Sequence, residues 1–135
     1  MRKRKYFTFE GVRQEVIFKE SETLPGGTEV DIYEFAGDPT KDLAIYKTKK
    51  TPLQRVEGGE RTVEGYISGV GKLRIGKPDG TYITFYVGGG NLKELQVDVE
   101  IGQTMQWIAD KNSILVGYEV CLPPYEPGRF TDLEY

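Results

Sequence analysis

The sequence contains no histidine and only one cysteine among its 135 residues. Histidine is the commonest general base near neutral pH, and histidine and cysteine are the commonest ligands of transition metals. Their near absence excludes zinc chemistry, Ser-His and Cys-His triads and histidine acid-base catalysis. Cys121 has no partner for an intramolecular disulfide bond, which is typical of a protein from a reducing compartment.

The sequence also lacks a long apolar run, so we expect no membrane-spanning segment and no membrane partner. The basic N-terminus leads directly into Tyr6–Glu10, without the apolar core or the cleavage site of a signal peptide. These features predict a cytoplasmic protein.

Positive charge is scarce outside the N-terminus. Four of the 18 basic residues are Arg2, Lys3, Arg4 and Lys5, which leaves 14 basic against 21 acidic residues in the rest of the chain. A protein that binds a phosphate backbone needs a basic face, because counterion release supplies most of its affinity. We therefore expect no nucleic-acid partner.

A chain of 15.3 kDa predicts one domain, and its 17 glycines and 7 prolines divide it into short segments rich in β-branched and aromatic residues. No window has a sustained helical apolar repeat. The pattern predicts an all-β sandwich or barrel. Its strands are expected near residues 5–10, 12–19, 28–36, 42–49, 53–56, 62–68, 72–75, 81–87, 93–100, 103–109 and 113–121.

Three motifs between about Leu43 and Phe130 resemble those of the cupin family. Thr51–Val56 is similar to the approach to the first cupin motif, and Glu64 with Gly71 resembles the second half of that motif. Gly102–Trp107 resembles the second motif, and Glu119–Tyr125 is similar to many cupin C-termini.

The resemblance implies a cupin-like double-stranded β-helix, or jelly-roll barrel, with a pocket in its mouth. As a single domain it would comprise N-terminal strands (1–40), a core barrel (41–122) and a C-terminal wrap (123–135), whose prolines exclude a central strand. Because cupins commonly pair through their N-terminal strands and outer sheets, the resemblance also implies a homodimer.

The chain departs from the family where cupins bind metal. Gln54 and Val56, or residues of the Glu57–Glu60 insert in a shifted register, replace the paired histidines. Met105 replaces the later histidine, although an alternative register places Ser113 there. Glu64 alone survives of the usual ligands, so we predict no metal and no cofactor. An oxygen-rich cation site assembled from Gln54, Glu57, Glu60 and Glu64 remains an alternative.

Strand alternation predicts the residues that share a pocket with Glu64. Thr62, Tyr66 and Ser68 lie on the same face of its strand, and Gln103, Met105 and Trp107 share a face of theirs. A carboxyl group beside Trp107 and Met105 would be desolvated, which raises its pKa and makes it a usable general acid or base. Alternatively, Glu64 forms an ion pair at the barrel rim with Arg55, Arg61 or Arg74.

For each of the other candidate residues, an ordinary structural role explains its presence at least as well as a functional role does. Tyr66 and Tyr118 could exchange protons with a ligand, or could be ordinary strand aromatics with hydroxyls in water. Trp107 could stack on a ligand or fill the core. Met105 is expected to fill a gap, and Cys121 to be a buried, inert thiol.

These observations support three hypotheses. The first is a metal-free small-molecule-binding protein whose ligand, a sugar, sugar acid or other hydroxylated metabolite, contacts Gln54, Glu64, Tyr66, Met105 and Trp107. The second is a metal-independent isomerase, epimerase or lyase in which Glu64 acts with Tyr66 or Tyr118 as general acid or base. The third is a structural dimerisation module with a degenerate pocket.

Overall fold

Short alternating segments form twelve β-strands and no helix in the computed structural model, which describes residues 4–134. Arg2 and Lys3 of the basic N-terminus lie outside the described residues. The described part of the chain accordingly has no helix that could cross a membrane. The strands are β1 (Lys5–Phe9), β2 (Val12–Thr23), β3 (Glu29–Phe35), β4 (Asp38–Thr48), β5 (Leu53–Val56), β6 (Arg61–Ser68), β7 (Gly71–Gly76), β8 (Tyr82–Val87), β9 (Gln96–Asp98), β10 (Thr104–Ala109), β11 (Leu115–Leu122) and β12 (Phe130–Glu134).

The strands form two antiparallel sheets. The larger sheet has the order β1-β2-β3-β4-β11-β6-β9, and the smaller has the order β12-β5-β10-β7-β8. Non-consecutive neighbours such as β4-β11-β6 bring distant parts of the chain into one sheet. This topology agrees with the predicted all-β barrel class.

Apolar residues occupy both faces of the larger sheet. One core lies between the two sheets and includes Tyr46, Leu73 and Trp107. A second core on the opposite face of the larger sheet includes Leu43 and Tyr118. Alternation along each strand therefore divides neighbouring residues between an inner and an outer face.

The first hairpin covers the outer core. The ring of Phe7 on β1 meets the ring of Tyr118 on β11 at 4.9 Å between centroids, although three strands separate β1 from β11 in the sheet. The register of β2 against β3 shifts between Phe18 and Glu20. We infer that the bulge lets the N-terminal half of β2 carry β1 over the sheet. The remainder of β2 continues towards the inner face.

Three of the predicted strands have wrong bounds. The strand predicted over residues 12–19 continues to Thr23 as β2. The strand predicted over residues 42–49 begins earlier, because β4 already starts at Asp38 and Phe35 pairs with that residue. The strand predicted over residues 93–100 is confined to Gln96–Asp98, where β9 pairs with Val63–Gly65 at the edge of the sheet.

The C-terminal segment joins the smaller sheet at its edge. β12 pairs only with β5, consistent with the expectation that the proline-rich tail is no central strand. Arg129, which is 5% exposed, fastens this segment to β6 and β11. Its guanidinium donates to the carbonyl oxygens of Pro123, Arg61 and Leu122 and to the hydroxyl of Thr62.

Gly59 makes room for this guanidinium. It adopts φ +90°, and a Cβ atom at this position would lie 2.1 Å from Cζ of Arg129. A glycine is therefore required both for the backbone conformation and for the close approach.

We expect Arg129→Gln to lower the free energy of unfolding by about 2 kcal/mol or more, because several buried carbonyl oxygens lose a charged donor. Arg55→Gln is the matched control, since Arg55 pairs with Glu57 on the surface, and should change stability little. Urea denaturation of both variants measures the difference. Equal stability of the two would show that Arg129 does not secure the tail.

Candidate functional site

The inner face encloses a cavity of about 430 Å³ between the two sheets. Its wall combines apolar side chains with carboxyl groups and a few neutral polar groups. The lining residues are Lys19, Glu20, Glu22, Leu24, Thr28, Val30, Ile32, Asp42, Ala44, Tyr46, Thr51, Gln54, Glu64, Met105, Trp107, Glu119, Cys121, Tyr125, Phe130 and Asp132.

Glu64 is the most deeply buried carboxyl group of this cavity, with 2% of its surface exposed. Tyr46 donates its hydroxyl to Oε1 of Glu64 at 2.6 Å, and the indole N–H of Trp107 donates to the same oxygen at 2.9 Å. The carboxyl group therefore joins β4 and β6 of the larger sheet to β10 of the smaller sheet. The alternative expectation of an ion pair with Arg55, Arg61 or Arg74 is wrong, because these arginines bind other groups or lie away from Glu64.

The register of the strands explains this arrangement. Glu64 on β6 lies directly opposite Glu119 on β11, and β11 lies between β6 and β4. Directly opposed residues on an antiparallel pair present their side chains to the same face. Across the cavity, Thr51 fixes Trp107, because its hydroxyl accepts a hydrogen bond from the Trp107 backbone N–H at 2.9 Å.

Burial raises the pKa of Glu64 well above its usual value, and the nearby carboxyl group of Glu119 raises it further. The hydrogen bonds from Tyr46 and Trp107 oppose this shift without overcoming it. Burial, together with Glu64, also raises the pKa of Tyr46, so its hydroxyl stays protonated and acts as a donor. The shift favours the protonated form of Glu64.

The second oxygen of Glu64 has no hydrogen-bond partner among the described residues. This atom, Oε2, is fully buried, and Glu119 lies opposite Glu64 on β11, where its carboxyl group contributes to the raised pKa of Glu64. Two carboxyl groups can face each other without repulsion only when they share a proton. When the pair carries a proton, it can donate a hydrogen bond into the cavity. When it is ionised, Oε2 is an acceptor without a donor.

The other carboxyl groups lie nearer the solvent. Glu20, Glu22 and Asp132 are exposed, whereas Asp42 is half-buried and accepts a hydrogen bond from the backbone N–H of Tyr125. Burial raises the pKa of Asp42 despite that hydrogen bond. Six of the lining residues are acidic and one, the exposed Lys19, is basic.

Four of the five predicted ligand-binding residues line this cavity: Gln54, Glu64, Met105 and Trp107. Gln54 donates to Asp132 at 2.8 Å near the mouth. Met105 and Trp107 lie on one face of β10, as the alternation predicts. Whether these residues contact a ligand stays a prediction.

The predicted placement of Tyr66 beside Glu64 in the pocket is wrong. Tyr66 points to the inner face as expected, but it lies two residues farther along β6 and its hydroxyl donates to the carbonyl of Gly69 at 2.6 Å. Ser68, predicted on the same face, is exposed. The strand is long enough to carry these residues past the end of the cavity.

Tyr118 is also absent from the cavity wall. It lies in the outer core, where its ring covers Gly65 and its hydroxyl donates to Gln96 at 3.2 Å. The neighbouring residues Glu119 and Cys121 face the cavity instead. The proposed acid-base pairing of Glu64 with Tyr66 or Tyr118 therefore has no geometric basis.

Sequence reasoning missed Tyr46 and Glu119. Each lies on a correctly predicted strand, and alternation places Tyr46 on one face with Asp42 and Ala44. Alternation separates the two faces of a strand but does not identify the face that lines the cavity, because the larger sheet has an apolar core on both sides. The acidic Glu119 among apolar neighbours was the available signal.

Cys121 is 2% exposed and has the environment of an inert thiol. Burial raises its pKa well above the usual value, and the adjacent Glu119 adds to the effect. A thiol that stays protonated is a poor nucleophile and a poor metal ligand. This placement agrees with the expected buried and unreactive cysteine.

The donor set at Glu64 does not fit a transition metal. Oε1 is occupied by two hydrogen-bond donors, and Met105 offers only a thioether. Within residues 4–134 no three acidic, cysteine or histidine side chains are grouped as metal ligands. The alternative oxygen-rich site is wrong as well, because Glu57 binds Arg55 and Thr131 and neither Glu57 nor Glu60 lines the cavity.

Solved structures with this architecture come from several bacteria. CapF, the capsular polysaccharide assembling protein of Staphylococcus aureus, superposes with a TM-score of 0.66 at 16% identity, over 89% of this chain and 34% of its own. Oxalate decarboxylase of Bacillus subtilis, which has Mn(II) centres, gives a TM-score of 0.67 at 17% identity, over 85% of this chain and 30% of its own. The fold is cupin-like.

The cupin-like protein spans about a third of the length of CapF and of oxalate decarboxylase. It covers more of protein SO0799 from Shewanella oneidensis, which matches with a TM-score of 0.65 at 13% identity over 84% of this chain and 78% of that one. No protein-family model and no curated protein matches the sequence. The resemblance inferred from the motifs is thus confirmed at the level of the fold.

We expect Glu64→Gln to fold with near-parental stability at pH 5, because glutamine keeps the oxygen that accepts from Tyr46 and Trp107 and offers an N–H₂ towards Glu119. The parent binds more protons folded than unfolded, since burial raises the pKa of Glu64 above its ordinary value of 4.5. Its stability should therefore fall as pH rises from 4.5 through the raised pKa, and the variant should lose less.

Urea denaturation between pH 5 and 9 measures this difference, with the exposed Glu94→Gln as the charge-matched control. Glu64→Leu should lose about 1–3 kcal/mol for each donor left without an acceptor. Parallel pH profiles for the parent and Glu64→Gln would contradict a protonated Glu64.

Proposed function

We propose that this cupin-like protein binds a compact, hydroxylated organic ligand that carries no negative charge. The observation that carries the proposal is the preformed cavity with the buried, hydrogen-bonded Glu64 in its wall. At about 430 Å³ its volume lies within the range of small-molecule sites. Such sites combine an apolar lining with a few fixed polar groups, as this one does.

The polar groups are placed to recognise hydroxyl groups. Glu64 presents a buried carboxyl group whose protonated form is favoured by burial, while Gln54 and Thr51 line the same space. Met105, Trp107 and the apolar residues of β3 supply surface for the carbon skeleton. A sugar-sized ligand would bury both kinds of surface at once.

Charge narrows the ligand class. Six acidic residues and one lysine line the cavity, so an anion would enter against a negative potential. A sugar acid, which the sequence allowed, is therefore not retained as the ligand. We propose binding without a metal, because Oε1 of Glu64 already accepts two hydrogen bonds and Met105 offers only a thioether.

The partners expected from the sequence stay predictions. The homodimer implied by the cupin resemblance is part of the proposal, and light scattering of the purified chain tests it. The cytoplasmic location and the lack of a nucleic-acid partner rest on composition alone. A purely structural module with a filled pocket is the least supported hypothesis, because the cavity is open.

Filling the cavity should abolish binding. Ala44 lies in its wall, and Ala44→Phe would place a ring in the space a ligand needs. Ser68→Phe at an exposed position outside the lining is the control. In a thermal-shift panel of neutral sugars, polyols and sugar acids, at least one neutral compound should stabilise the parent and Ser68→Phe by about 2.7 kcal/mol at a hundredfold excess over Kd, and Ala44→Phe not at all.

Stabilisation by sugar acids in preference to the neutral sugars would contradict the charge argument. Equal stabilisation of Ala44→Phe and the parent would place the ligand elsewhere. If no compound of the panel binds, and glucosamine, cyclohexylamine and putrescine do not bind either, the binding proposal is overturned.

The Glu64–Glu119 pair favours a second candidate, a metal-independent isomerase, epimerase or lyase. One carboxyl group of such a pair can donate a proton while the other accepts one, which is the arrangement that acid-base catalysis needs. Glu119 here takes the role that the sequence assigned to a tyrosine. A shared fold does not identify a reaction, so the enzyme proposal rests on the Glu64–Glu119 pair and not on the likeness to other structures.

Proton exchange tests the second candidate directly. An isomerase, epimerase or lyase that removes a C–H proton should incorporate deuterium into a bound compound in D₂O, as measured by proton NMR. Incorporation should fall at least about a hundredfold in Glu119→Gln and not in Glu94→Gln. Binding without any deuterium incorporation would contradict the enzyme candidate and leave ligand binding as the remaining function.

A further inference from the structure

The buried acceptor of Glu64 sets a chemical requirement on whatever fills the cavity. Oε2 is fully buried and no donor among residues 4–134 reaches it, whereas Oε1 already accepts two hydrogen bonds. Glu119, directly opposite on β11, is another acceptor when ionised. A ligand group that donates several hydrogen bonds and carries positive charge would satisfy both carboxyl groups.

In the described part of the chain, the strands around Glu64 place no basic side chain in the cavity wall. Tyr46 and Trp107 donate from β4 and β10, and β11 contributes Glu119 and Cys121. Farther along the wall, Asp42 lies on β4, Gln54 binds Asp132, and Lys19 is exposed at the mouth.

Arg129 is buried, but backbone carbonyls and Thr62 occupy its guanidinium. It does not line the cavity, and its charge, like that of Lys19, acts on Asp42. No basic side chain of the described residues is paired with Glu64 or Glu119.

We propose that the ligand carries a protonated amine, which binds between the carboxyl groups of Glu64 and Glu119. This inference rests on the proposed function and names the charged group of the same ligand. The N–H groups of the ammonium donate to Oε2 of Glu64 and to Glu119, and the carbon skeleton with its hydroxyl groups lies against Met105 and Trp107. The exposed carboxyl groups at the mouth attract the cation towards the cavity.

Binding is coupled to the release of a proton. Because burial raises the pKa of Glu64, we expect this carboxyl group to carry a proton in the free protein, and the ammonium ion replaces that proton as the positive group. The exchange balances as one ammonium bound, one carboxyl group ionised and one proton transferred to the buffer. A neutral alcohol would leave that proton in place.

Matched pairs of amine and alcohol test the proposal. The probes are glucosamine with glucose, cyclohexylamine with cyclohexanol, and putrescine with 1,4-butanediol, measured by isothermal titration calorimetry at pH 7. We expect at least one amine to bind at least about tenfold more tightly than its alcohol. Its heat should vary with the ionisation enthalpy of the buffer, with about one proton released per ligand.

Substitutions assign the effect to the two carboxyl groups. Glu119→Gln removes one negative charge and should reduce the preference for the amine to about threefold or less, and Glu64→Gln should abolish proton release. Glu94→Gln, with the same change of charge at an exposed site, should preserve both. Circular dichroism of each variant separates loss of binding from loss of the fold.

The outcomes distinguish this inference from the function on which it rests. Alcohols that bind as tightly as their amines would overturn the ammonium site and leave the proposed binding function intact. Amines that bind without proton release, or equally well to Glu119→Gln, would also overturn it. Failure of every amine and every neutral compound to bind would overturn both.

Discussion

One carboxyl oxygen holds the inner face of this protein together. Oε1 of Glu64 accepts hydrogen bonds from Tyr46 on the larger sheet and from Trp107 on the smaller one. The three side chains are buried, so neither donor can turn to water, and each would be costly to leave unpaired. The cavity exists beside this contact because the polar groups keep the sheets in register without filling the space between them.

Two apolar cores on one sheet decide where that contact can form. β4, β6 and β11 send alternate residues to the inner core and to the outer core, which the first hairpin covers. Both faces of these strands are therefore protected from solvent, and a carboxyl group on either face is desolvated. The raised pKa of Glu64 follows first from this burial and second from its neighbour Glu119.

The same double covering limits what the sequence could predict. Most strands, the all-β class and the cupin resemblance followed from alternation, turn residues and motif order, and Gln54, Glu64, Met105 and Trp107 were placed on the correct face. Alternation assigned Tyr46 and Glu119 to a face without saying which face was interior. It also gave no length scale, so Tyr66 lies on the right face but beyond the cavity.

The absence of histidine and the six acidic residues in the cavity wall are physically connected. Imidazole ligands hold a metal whose positive charge offsets the carboxyl groups around it, and in a cavity without either those groups repel one another. In this cavity part of the repulsion is relieved by protonation, since burial already favours the neutral form of Glu64. A proton is an exchangeable counter-charge, whereas a resident arginine is not. A pocket whose carboxyl groups are neutralised by protons, and not by basic side chains, can therefore accept a cationic group with little rearrangement of its walls.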